Sequence, residues 1–181
     1  GENPLEKWNQ SHERATLTLK DPSIIIRVKP MLYNEDDKIE FKIQIKELLN
    51  LKLIRMSKSP HSSPAFMVRN HAEIKRGKAR MVINYKELNK NCIFDGYFIP
   101  NKNNLINLAK GKTYFSKFDC KSGFWQIKLA ENSIPLTAFS TPNGHYEWLV
   151  MPFGLKNAPQ IFQQKMDKIF SEKEFLIVYI D

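Results

Sequence analysis

With 181 residues, 42% of them apolar and 12% aromatic, the chain is long enough to close one sizeable core or two small lobes, and it is too apolar for a disordered polyelectrolyte. Twenty-eight basic against nineteen acidic side chains leave a net charge of +9, which favours a polyanionic partner, nucleic acid first, while an anionic membrane surface or a basic structural role also fits. Cys92 and Cys120 are far apart, form no Cys-x-x-Cys and share no ligand spacing with His12, His61, His71 or His145, which argues against a zinc site and a disulfide framework.

Residues 1–20 are polar and mixed and suggest no function, and Ile24, Ile25 and Ile26 form a short edge strand before Pro30. Asn34 followed by Glu35, Asp36 and Asp37 is a helix start, a cap with acids at the positive end of the dipole. Phe41, Ile45, Leu48 and Leu49 then recur at helical spacing, so one amphipathic helix runs to about Asn50. Residues 57–64 carry two prolines and four serines and read as an irregular turn. Residues 65–69 and 78–84 pair as a hairpin whose tip holds His71, Glu73, Lys75, Arg76 and Gly77. In its second strand Arg80, Val82 and Asn84 face away from Ala79, Met81 and Ile83, and a planar guanidinium there suits a phosphate, although a simply solvated basic hairpin explains the same pattern.

Residues 105–109 form a short helix stopped by Gly111. Phe115 and Phe118 then build a strand that ends in the Ser122-Gly123 corner with Asp119 at its edge. Strands at 126–129 and 137–140 follow, and Thr141-Pro142-Asn143-Gly144 turns the chain back into 145–150. Gly154, within 151–157, marks a sharp bend or a close approach. Pro159 opens a helix capped by Asn157, with Phe162, Met166, Ile169 and Phe170 as its core stripe. Six uninterrupted apolar residues, 175–180, have the pattern of a strand buried on both faces, delivering Asp181. Two such strands could hold divalent metal between Asp119 and Asp181, while a lone aspartate after a strand is more often a turn or cap residue than a ligand. Irregular alternation of helices and hairpins makes the class α+β.

Phe118-Asp119-Cys120-Lys121-Ser122-Gly123-Phe124-Trp125-Gln126, then 151–159 with Phe162-Gln163, then Tyr179-Ile180-Asp181, resemble the successive palm motifs of reverse transcriptases. Ile54, residues 59–64 and residues 80–89 resemble the fingers motifs of the same family, and the wording of the motifs is similar to that of plant pararetroviruses of the caulimovirus group, with gypsy-type retrotransposons second. Motifs in this order are specific where any one alone is weak. The resemblance implies residues 1–27 as an N-terminal extension, fingers over about 28–99 and palm over about 100–181, an antiparallel palm sheet packed on helices and truncated before the thumb.

It further implies an RNA-directed DNA polymerase, a nucleotidyltransferase from a viral or endogenous-viral polyprotein, with two Mg²⁺ ions (or Mn²⁺) about 4 Å apart. Asp119, Asp181 and the carbonyl of Cys120 are then the metal ligands. The amides of Ser122 and Gly123 meet the triphosphate, Phe124 is the steric gate against a 2′-hydroxyl, Phe153 and Gly154 lie against the nucleotide, and Arg80 and Lys75 contact its phosphates. Implied partners are an RNA or DNA template-primer, deoxynucleoside triphosphates, and the remaining palm, thumb and ribonuclease H parts of the same polyprotein.

The chain has no initiator Met and stops before the motif's second aspartate, so it is expected to be an excerpt that is inactive alone. No apolar run reaches the roughly 20 residues of a membrane span and residues 1–4 carry no signal pattern, so the expected place is intracellular and cytoplasmic, in a virus-like particle or replication complex, without secretion or a membrane partner. A second reading is a non-catalytic, basic nucleic-acid-binding relic of an integrated viral element; a third is a scaffold that binds no nucleic acid.

Overall fold

The computed structural model describes residues 13–70, 77, 79–94 and 96–180. Helix α1, Glu35–Asn50, begins as its composition dictates: the Asn34 side chain accepts the Asp37 N–H at 2.8 Å. Phe41, Ile45 and Leu48 are buried, whereas Leu49 turns outward, so the stripe is narrower than the spacing suggests. The helix ends in a left-handed residue, Lys52 (φ 56°), with the Leu53 N–H returning to the Leu48 carbonyl at 3.0 Å. Glycine usually occupies that position, and its absence hides both the helix stop and strand β1, Ile54–Met56, which follows at once.

A five-stranded sheet forms the body of the fold, from β1, β2 (Ser63–Val68), β3 (Arg80–Ile83), β4 (Phe139–Thr141) and β5 (Gly144–Trp148), in the order β1-β5-β4-β2-β3. Only the β2–β4 pair is parallel. The expected hairpin is present in the register Ala65↔Ile83 to Val68↔Arg80, and β2 starts earlier than its apolar run, at Ser63 and Pro64. Pro64 lacks an N–H, yet its carbonyl still accepts from Asn84 at 2.8 Å. Helix α1 lies against the sheet, where Tyr33 donates to the Ala65 carbonyl at 2.6 Å. Gln44 covers the open edge of β3: its amide donates to the Ala79 carbonyl and accepts from the Met81 N–H.

Short helices α2 (Lys86–Asn91) and α3 (Lys102–Ala109), two 3₁₀ turns (Gly123–Gln126 and Ile134–Thr137) and helix α4 (Ala158–Phe170) complete the elements among the described residues. The α+β expectation holds. Residues 127–129 run antiparallel to 149–151 through Leu129 N–H to Leu149 O and Met151 N–H to Ile127 O. Asn157 sits at the start of α4 without capping it; its amide donates instead to the Ile93 carbonyl at 2.8 Å. The α4 face is also rotated from expectation, with Ile161 and Gln163 buried and Ile169 exposed.

The largest departure concerns the two strands expected to carry the acids. Residues 114–118 and 175–180 run without a ladder among the described residues, and Phe115, Phe118 and Phe175 are 69%, 86% and 85% exposed. An apolar run becomes a buried strand only beside a backbone edge that completes its hydrogen bonds, and no described segment offers one. Residues 13–28, by contrast, are stitched across the fold. Ala15, Leu17 and Leu19 are buried, Ala15 pairs with 128–130, the Leu17 N–H meets Ser133 Oγ at 2.8 Å, and Ile26 donates to His61 Nδ1 at 3.0 Å.

Inside the sheet, Thr137 Oγ1 donates to the Ile134 carbonyl at 2.7 Å and accepts the Trp148 N–H at 2.9 Å, while Tyr85 Oη donates to the Thr137 carbonyl at 2.7 Å. Burial pushes the Tyr85 phenol far above its usual range, so it remains a donor at any working pH. Thr137→Val preserves shape but strands the Trp148 N–H; it should cost about 1–3 kcal/mol in urea unfolding, and Thr137→Ser clearly less. Burial lowers the His61 pKa, matching a ring nitrogen that must stay unprotonated to accept from Ile26. The unfolded chain therefore takes up the proton first, and stability held above about pH 6.5 declines as the pH falls through the lowered folded value. His61→Asn keeps an acceptor without the titration and should flatten that slope in an unfolding series between about pH 7 and 5.

Candidate functional site

The turn after Asp119 is built by local constraints. Ser122 is left-handed (φ 50°), and from Gly123 the chain winds into the 3₁₀ turn, fastened by Gln126 Nε2 donating to the Lys121 carbonyl at 2.8 Å. A Cβ on Gly123 would come within 2.9 Å of the Phe162 ring, so the missing side chain is what lets α4 approach. Phe124 is then held between Phe153 and Phe162, at ring-centroid distances of 5.3 and 5.7 Å. Trp125 packs on Phe153 at 6.0 Å and on Trp148 of β5 at 6.1 Å.

The opposing loop is pinned on both sides of its exposed tip. Met151, Pro152 and Leu155 are buried, while Phe153 and Gly154 are exposed between them. Gly154 is left-handed (φ 93°), and a Cβ there would lie 3.5 Å from the Ile83 carbonyl at the end of β3. Asn89 of α2 staples this bend: its Nδ2 donates to the Gly154 carbonyl at 2.8 Å and its Oδ1 accepts the Lys156 N–H at 2.9 Å. Sequence reasoning assigned Asn89 no role; the available signal was an amide side chain in a short run otherwise suited to a helix.

Phe124 and Phe153 are in ring contact, which sets the Gly123 corner against the bend at Gly154, with Ser122 on the turn that leads into Gly123. Arg80 is exposed on β3, the strand whose last residue meets Gly154. Asp119 and Cys120 lie on the open side of the turn, both exposed, flanked by the exposed Lys117 and Lys121. Neither hydrogen bond nor ion pair engages the Asp119 carboxylate among the described residues. Lys75 and Asp181 lie outside the described residues, so the expected meeting of Asp119 with Asp181 lies outside them too. Among the described residues no three acidic, histidine or cysteine side chains cluster closely enough to hold a metal, and no helix is long and apolar enough to cross a membrane. Cys92 and Cys120 are both free thiols, and burial raises the pKa of the Cys92 thiol.

The profile of the reverse transcriptase (RNA-dependent DNA polymerase) family matches residues 68–181. The enzymatic polyprotein of Cauliflower mosaic virus (strain CM-1841) is 56% identical over 99% of this chain, and that of Figwort mosaic virus (strain DxS) 51% identical over 99%. The chain spans 27% of the length of each of these relatives. Among solved structures, the prototype foamy virus protease–reverse transcriptase superposes with a TM-score of 0.76 at 24% identity, covering 90% of this chain and 22% of that one. A foamy viral protease–reverse transcriptase solved with an RNA/DNA hybrid gives a TM-score of 0.70 at 20% identity, covering 92% of this chain and 23% of that one.

Gly154→Ala and Asn89→Ala disturb one bend from two sides, by left-handed strain and by lost hydrogen bonds. Each should cost about 1–2 kcal/mol in urea unfolding, and the double variant should cost less than the sum.

Proposed function

This chain belongs to the reverse transcriptase (RNA-dependent DNA polymerase) family, and from that premise we propose that it forms the fingers and part of the palm of the RNA-directed DNA polymerase of a caulimovirus-type polyprotein. The observation that supports the reading is the ring contact of Phe124 with Phe153, which joins two separate motifs beside the turn that follows Asp119. Phe124 is braced on both sides by rings and so presents a stiff wall, which suits exclusion of a ribose 2′-hydroxyl better than discrimination by affinity. The Ser122 and Gly123 amides offer donors to the phosphates of a nucleotide. Arg80 and Lys75 are assigned to those phosphates, and Phe153 to the nucleotide itself.

Asp119 fits a hard divalent ion as one ligand, since it is an exposed carboxylate engaged by no other side chain among the described residues. Asp181 and the Cys120 carbonyl are assigned as its companions. Magnesium or manganese, when bound, acidifies the primer 3′-hydroxyl and neutralises the leaving pyrophosphate. The protein's own part is to aim the carboxylates, seat the triphosphate and exclude the wrong sugar. The RNA/DNA hybrid on the foamy viral neighbour and the net charge of +9 support a template-primer as partner. Deoxynucleoside triphosphates and the remaining palm, thumb and ribonuclease H regions complete the proposed assembly, inside the cell.

The test is primer extension on an RNA template by the polymerase that contains these residues. Asp119→Asn should lower extension about a hundredfold or more, and Phe124→Val should raise ribonucleotide incorporation about tenfold. The 181 residues alone, which span 27% of the length of the polyprotein relatives, should extend nothing. Salt-dependent binding of template-primer with no extension by the longer protein would favour the nucleic-acid-binding relic instead.

A further inference from the structure

Gln163 is buried to 1% exposure on α4, where the helical spacing calls for an apolar residue. A buried amide is costly unless its polar atoms are paired: both hydrogens are used, while Oε1 has no partner among the described residues. Nε2 donates to Asp167 Oδ1, one turn along the helix, at 2.8 Å, and to the Val178 carbonyl at 3.2 Å. The second Asp167 oxygen accepts the Tyr97 hydroxyl at 2.6 Å, a short charge-assisted bond from the segment that leads into α3. That bond also raises the Tyr97 pKa, consistent with a phenol donating to a carboxylate. The orientation of the amide is thereby set, since a flip would turn its oxygen toward the Asp167 carboxylate.

Val178 belongs to the segment that lacks a ladder among the described residues, so this side-chain contact does what strand pairing does elsewhere. Residues alternate along the segment, with Leu176, Val178 and Ile180 half-buried and Ile177 and Tyr179 exposed. Carbonyl directions alternate with the side chains. A slip of one residue would turn the carbonyl away from Gln163 and move every following side chain to the opposite face.

We propose that Gln163 is a positioning residue that sets the register of residues 175–180, the run that leads to Asp181 in sequence, through a hydrogen-bond relay from Tyr97 by way of Asp167. The proposal rests on the polymerase reading for its consequence, not for its geometry.

The experiment uses the polymerase containing this chain and two readouts: amide hydrogen exchange over 176–180 without metal, and steady-state primer extension. Gln163→Leu should lose protection across 176–180 and lower kcat about tenfold or more, with KM for the nucleotide held within about twofold. Asp167→Leu should do the same, Asp167→Asn should restore part of both because one acceptor remains, and Tyr97→Phe should give a smaller change in the same direction. Should Gln163→Leu fail to fold, Tyr97→Phe, which removes one hydroxyl, and the two Asp167 variants decide the matter by exchange. Unchanged protection in folded variants overturns the relay, as does a loss confined to KM. A wild-type enzyme that extends no primer overturns the functional reading instead, and the exchange result then judges the relay.

Discussion

A run of aromatic rings ties the candidate site to the sheet. Tyr146 packs on Phe139, Phe139 on Trp148, Trp148 on Trp125, Trp125 on Phe153, Phe153 on Phe124 and Phe124 on Phe162, with centroids 5.3–6.1 Å apart. Tilted or edge-on pairs of this kind contribute about 0.5–1.5 kcal/mol each beyond their buried area. The run passes through β4, β5, the 3₁₀ turn, the 151–155 bend and α4, so displacement of any one is felt by the others. Its sheet end is held by the Thr137 hydroxyl on the Trp148 backbone and by Tyr85 on Thr137. Its exposed member is Phe153, beside Gly154.

Two kinds of construction therefore meet at the site. The face proposed to receive the nucleotide is braced by rings, by Asn89 at the Gly154 bend and by glycines where a Cβ would collide or strain. The segments that carry or precede the acids are open: residues 112–121 are exposed throughout, and 175–180 has, among the described residues, the contact with Gln163 in place of a ladder. A polymerase built this way would recognise the sugar and base against a stiff surface and aim its carboxylates through fewer, more specific contacts. Such a division suits a reaction in which binding pocket and metal ligands are assembled from chain segments far apart in sequence.

Local chemistry was legible wherever neighbours in sequence suffice. Asn34 with its following acids, the Thr141 to Gly144 turn, the bend at Gly154 and the 65–83 hairpin all formed as their residue types require. The motif wording carried the family, because residues around Arg80, Asp119 and Gly154 in that order constrain chemistry more than fold, and the family profile and the polyprotein relatives agree with it. Arrangements that depend on distant partners were illegible. Lys52 adopts a left-handed stop without being glycine, Asn157 leaves its cap for the Ile93 carbonyl, and Gln163 takes a core position as a hydrogen-bond donor. The alternation of Ala15, Leu17 and Leu19 was present in the sequence but gained meaning only from the Lys128 and Ser133 contacts that receive it.

The same division explains the 114–118 and 175–180 segments. Composition marks them as strand formers, and β-propensity is a fit to a pleated, half-buried surface rather than a property of the backbone alone. Residue order could specify which side chains belong to the chemistry, since that depends on their types and spacing. Whether a segment pairs, which of its faces is buried and what holds its register depend on groups supplied from elsewhere in the fold, because a backbone hydrogen bond needs two partners and sequence names only one at a time.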